Sequence, residues 1–100
     1  MHLSRDSIIK ALSGSAGEIR EKFGVRKIGL FGSYAEGGEE SLSDIDILVE
    51  FEKNTLDNYM DLKVFLETLF NRDVDLVIED NLKPRLRPKI LKEVIYAEGL

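Results

Sequence analysis

One hundred residues, 43% apolar and 33% charged, suffice for one compact core and are too few for two, so a single domain spanning 1–100 is expected. The absence of cysteine excludes disulfides and thiolate metal sites, and with His2 as the sole histidine any metal must be held by oxygen. A net charge of −5 argues against gripping nucleic acid through a broadly basic surface, and no run approaches the roughly 18 apolar residues of a membrane span. The N-terminal segment shows no convincing cleavage site, so a cytoplasmic address is the default expectation.

In chain order, Ile8, Leu12, Ala16, Ile19 and Phe23 recur at spacings of three and four, which predicts one amphipathic helix over 6–23. Asp6 is its expected cap and Gly24 its stop, while Gly14 and Gly17 each weaken it by about 1 kcal/mol relative to alanine. Residues 25–31 read as a short strand closed by Gly32. A turn of helix over 33–37 and a polar loop over 37–43 follow.

Residues 44–51 form a second strand, with Ile45, Ile47 and Val49 on one face and Asp46, Leu48 and Glu50 on the other. Thr55 caps a helix carrying the stripe Leu56, Tyr59, Leu62, Leu66 and Leu69, and Asn71 ends it. Residues 74–78 make a third strand. A last helix begins at Pro84 or Pro88, with Leu86, Ile90 and Val94 inward and Lys89 and Lys92 in its first turns. The result is an α/β (α+β) domain: a three-stranded mixed sheet flanked by about four helices.

The chemistry is concentrated in 28–51. Asp44 and Asp46 lie two residues apart on a strand and therefore share a face. A right-handed crossover between parallel second and third strands brings Asp75 to the same edge. Asp73 is expected to be a solvated or capping residue, exchanging roles with Asp75 if the register shifts by two. Converging carboxylates repel and call for a cation, and hard oxygen ligands suit Mg²⁺ or Mn²⁺. Gly32 permits close backbone approach, and the Ser33 hydroxyl can donate to a phosphate. Metal, phosphate cradle and activating carboxylate together describe nucleotidyl transfer.

Gly32 and Ser33, ten intervening residues and then Asp44-Ile45-Asp46 resemble the signature of the minimal nucleotidyltransferases, a branch of the DNA polymerase beta-like superfamily. The similarity continues through LVEF at 48–51, VDLV at 74–77 and LKPRLRPKIL at 82–91. The resemblance implies that Asp44 and Asp46 hold two Mg²⁺ ions, that Asp75 holds one and deprotonates the acceptor, and that Ser33 contacts the phosphates of ATP. It also implies a partner, a HEPN-domain toxin whose tyrosine receives AMP, in a hetero-oligomer in which this chain is the antitoxin. Glu36 departs from the family, where that position is more often basic, so phosphate neutralisation falls to metal, backbone and a basic residue such as Arg72 or Arg85. The alternative is a catalytically weak or inactive module that neutralises the toxin by binding alone. The basic C-terminal segment reads either as a solvated helix face or as a contact for a partner or phosphate. A nucleic-acid end-modifying enzyme would need a polymer groove that this acidic chain does not advertise.

Overall fold

The computed structural model describes residues 3–36 and 44–100; the predicted polar loop over 37–43 and His2 lie outside the described residues. The first helical stripe is confirmed residue by residue, since Ile8, Leu12, Ala16, Ile19 and Phe23 are all buried. It is carried, however, by two helices, α1 (Arg5–Gly14) and α2 (Ala16–Phe23), and not by one. The break falls at Ser15, inside the Gly14-Ser15-Ala16-Gly17 run whose glycines stabilise helix poorly. Ser4 and not Asp6 starts α1, through a reciprocal capping box in which the Ser7 amide donates to Ser4 Oγ at 3.2 Å and the Ser4 amide to Ser7 Oγ at 2.8 Å. Gly24 ends α2 in the left-handed region at φ 64°.

Strand β1 (Val25–Phe31) pairs antiparallel with β2 (Ile45–Phe51), and β2 pairs parallel with β3 (Val74–Ile78), as the crossover argument requires. The crossover is α3 (Leu56–Phe70), started by the Thr55 side chain and stopped by Asn71 at φ 52°. Its inner face is Leu62, Leu66 and Phe70. Two members of the expected stripe are not core: Leu56 is 74% exposed because the inward face begins only after the first turn, and Leu69 is exposed because the buried line runs through Leu66 to Phe70 instead.

After β3, a turn of 3₁₀ helix (Glu79–Asn81) leads to α4 (Arg87–Glu93). Pro88 lies in its first turn, and no residue of it is buried. Lys92 sits in the last turn of this short helix, where a cation is favourable, and not in the first turns. The chain then adds β4 (Ile95–Tyr96), so the sheet has four strands in the order β3-β2-β1-β4, against the three expected. Two residues carry no periodic pattern, which is why β4 escapes a sequence reading. Its place is prepared by Gly29, which pairs with Tyr96. A Cβ on Gly29 would stand 2.7 Å from Val94 Cγ2 and 2.9 Å from the Ile95 carbonyl oxygen.

A buried carboxylate fastens this C-terminal segment. Glu79 is 5% exposed, accepts from the Tyr96 hydroxyl at 2.9 Å, and faces Arg87 at 3.6 Å and Lys27 at 3.9 Å. Arg87 also donates to the Glu79 carbonyl at 3.0 Å. Burial, and then the bond to Glu79, push the Tyr96 phenol up to about 12, so it stays a donor. At the opposite edge, α3 covers the rim of β3: the Tyr59 hydroxyl donates to the Leu76 carbonyl at 2.7 Å, and Glu67 accepts from the Val74 amide at 3.1 Å. Among the described residues no helix is long and apolar enough to cross a membrane.

Gly29→Ala should lower stability by about 1–3 kcal/mol, because a backbone oxygen cannot move aside as a side chain can. Urea unfolding followed by circular dichroism reads this directly, and an unchanged midpoint would contradict the tight β1–β4 contact.

Candidate functional site

The sheet has one face against α1, α2 and α3 and a second face on which the polar side chains gather. On β2 the first face is Ile45, Ile47, Val49 and Phe51, all buried, while Asp46 and Glu50 on the second remain partly accessible. Register does the rest: Asp46 pairs with Phe31 on one side and with Asp75 on the other. Asp46 and Asp75 are thus direct neighbours on parallel strands, and strand alternation puts both on the second face. Asp73 does not share this position. Its carbonyl accepts the Ile45 amide at 3.1 Å, and it is Asp75, not Asp73, that stands opposite Asp46.

The proximity shows in the ionisation of Asp46, whose carboxyl is raised from an ordinary 3.8 to about 6. Partial burial is the largest cause, followed by the charges of Asp75 and Asp44 and a side-chain hydrogen bond with Asp75. Asp44 itself lies exposed just before β2. Gly32 completes the packing from β1: its φ is 77°, and a Cβ there would land on the Asp46 carboxylate.

Beyond Gly32, the Glu36 amide donates to the Gly32 carbonyl at 3.2 Å, closing a turn over 33–36 with Ser33 half-buried and Glu36 exposed; Gly37, the end of the expected helical turn over 33–37, lies outside the described residues. Sequence reasoning passed over Tyr34. It is 1% exposed, and its hydroxyl accepts from the Arg72 guanidinium at 2.8 Å. Arg72, expected as a phosphate neutraliser, therefore ties the Gly32 turn to the chain entering β3. An aromatic directly after Gly32-Ser33 in an otherwise polar stretch was the available signal.

Whether these groups suit a divalent cation is a question of donor chemistry. Among the described residues no three carboxylates or histidines are gathered into a ready cage. Two adjoining carboxylates with a third exposed beside them nevertheless match the demand of Mg²⁺, which takes one or two carboxylates and fills its octahedron with water and substrate phosphates. The burial and like charge that oppose ionisation of Asp46 are what such a cation would offset.

A family model for the nucleotidyltransferase domain matches residues 12–97, which include all of these groups. The chain belongs to the nucleotidyltransferase domain family. It is 42% identical over 95 residues to the protein adenylyltransferase MntA of Thermococcus cleftensis, covering 94% of this chain and 96% of that protein. The fold matches a solved candidate minimal nucleotidyltransferase with a TM-score of 0.79 at 36% identity, covering 94% of this chain and 96% of the other. It also matches a chain from a variant of the MntA–HpeT toxin–antitoxin complex with a TM-score of 0.68 at 28% identity, covering 98% of this chain and 74% of that one.

For this nucleotidyltransferase domain the raised Asp46 fixes the sign of a pH dependence without metal. The folded state holds the Asp46 proton more tightly than the unfolded state, so stability falls as pH rises from about 4 to about 6 and the full penalty is present above that. Asp46→Asn should stabilise the metal-free protein at pH 7 by about 1–2 kcal/mol, after allowance for solvent screening of a partly exposed group. It should be neutral near pH 3. Thermal unfolding of both proteins across this range tests the point, and equal midpoints at pH 7 would show that neither burial nor the neighbouring carboxylates penalise the charged Asp46.

Proposed function

We propose that this domain is a divalent-metal-dependent adenylyltransferase that transfers AMP from ATP to a tyrosine hydroxyl of a HEPN-domain toxin in the cytoplasm, and so acts as the toxin's antitoxin. The observation that carries the reading is the in-register apposition of Asp46 and Asp75 beneath the Gly32 turn. The adenylyltransferase name of MntA and the toxin–antitoxin complex that contains a structural relative support the acceptor class.

In this reading Asp44, Asp46 and Asp75 hold two Mg²⁺ ions, with Mn²⁺ a possible substitute. When bound, the ions supply electrophilic activation of the α-phosphate and charge neutralisation of the departing pyrophosphate. Gly32, without a side chain, lets the turn lie directly against the Asp46 carboxylate, and the Ser33 hydroxyl donates to a phosphate oxygen. The Tyr34–Arg72 bond keeps that turn in place over the carboxylates. Asp75, exposed at the start of β3, accepts the proton of the incoming phenol. The tyrosine oxygen forms a bond to the α-phosphorus, the bond from that phosphorus to the bridging oxygen breaks, and pyrophosphate leaves with the electron pair. A chain of this size has little room of its own for a long polymer, which favours an acceptor that brings its own surface.

Incubation with α-labelled ATP, Mg²⁺ and the helical protein encoded alongside should place label on the partner, and mass spectrometry should find AMP on tyrosine. Asp44→Asn combined with Asp46→Asn should stay folded and lose transfer by at least about 10²-fold. Tight partner binding with no label transferred would mean that the domain neutralises by occupation alone.

A further inference from the structure

Large apolar side chains are exposed in two places with opposite charge. The outward face of α3 presents Leu56, Met60 and Val64 at successive four-residue steps, with Leu56 74% and Val64 60% exposed. Asp57 and Asp61 run beside them, both exposed and neither in an ion pair among the described residues. The second place is α4 and its approach, where Leu86 and Leu91 are exposed among Lys83, Arg85, Lys89 and Lys92. Those four cations are exposed and likewise form no ion pair among the described residues, whereas Arg87 is engaged with Glu79.

Segment 82–92 contains five basic and no acidic residues, while the remainder of the chain carries all nineteen acidic residues against nine basic ones. The segment is held in place by the Glu79 carboxylate, yet none of α4 is buried within this chain. A helix none of whose residues is buried in its own chain, and that carries exposed leucine and unpaired cations, matches a stripe elsewhere on the same molecule that carries apolar residues and unpaired carboxylates.

We infer that this domain associates with itself, the basic face of α4 in one copy docking on the acidic apolar face of α3 in a second copy. The contact joins unlike surfaces, so it can close into a small ring or continue as a chain. Nucleic acid fits the same lysines less well. The segment has no aromatic residue on which a base could stack, its leucines have no phosphate to meet, and the rest of the surface repels a polyanion. The association is independent of the catalytic reading, because it uses none of Gly32, Ser33, Asp44, Asp46 or Asp75.

Sedimentation velocity from low micromolar to millimolar protein should show a mass rising above the monomer at about 0.1 M salt and falling back at about 1 M, where the screening length shrinks from about 10 Å to about 3 Å. Lys89→Glu with Lys92→Glu should be monomeric, as should Asp57→Lys with Asp61→Lys, each retaining the wild-type circular dichroism spectrum. Mixing the two variants should restore association, since the reversed α4 of one then meets the reversed α3 of the other. A wild type that remains monomeric throughout would overturn the inference, as would two variants that fail to associate when mixed. Monomeric protein that binds RNA, anionic vesicles or the helical partner through the same lysines would also overturn it and assign the segment to that ligand.

Discussion

Asp46 and Asp75 stand side by side because a parallel register leaves them no alternative, and the structure around them bears the consequence. Their strands are anchored from beneath by Ile45, Ile47, Val74 and Leu76, all buried against the helices. Each of those side chains contributes roughly 1.5–3 kcal/mol of apolar burial, enough to hold two like charges together. The pair cannot relax apart without lifting a strand from the core. Nor can it tilt freely toward β1, because the Asp46 carboxylate already occupies the space that a side chain at Gly32 would need. The repulsion is therefore stored at a fixed place, and its effect is to make a cation the most favourable neighbour.

Glu79 offers the contrast within the same chain. Its carboxylate is more deeply buried than that of Asp46, yet it is surrounded by a phenol and two cations and fixes the C-terminal segment to the sheet. Burial alone does not mark a reactive acid; what differs is the sign of the company. A carboxylate enclosed by donors is a fastener, whereas one enclosed by other carboxylates is a receptor.

Much of this was legible in the sequence, and the reasons are particular. The Ile8 to Phe23 stripe reports burial, which survives a helix break, so the core residues were readable while the interruption at Ser15 was not. Thr55 and Asn71 bounded α3 because each has side-chain or backbone chemistry specific to a helix end. The parallel pairing of β2 with β3 is legible in their strand-helix-strand order, which already puts Asp75 at the same edge as Asp46. Features that depend on contacts distant in sequence were not legible. β4 exists because Gly29 leaves room for it, and the Tyr34–Arg72 bond spans 38 residues. The exposure of Leu56 also defeated periodicity, which identifies a stripe without saying where the covering surface ends.

The bonds that shield the rim of β3 have a meaning beyond shielding. Tyr59 and Glu67 are eight residues apart on one rigid helix, and they grip Leu76 and Val74 on either side of Asp75. Both grips hold main-chain atoms, which any residue could offer, so the register itself is chosen by the buried Val74 and Leu76: a strand displaced by two residues would bring Arg72 into the inward position of Val74. Helix α3 thus works as a clamp laid along the strand, holding in place the alignment in which Asp75, and not Asp73, stands opposite Asp46.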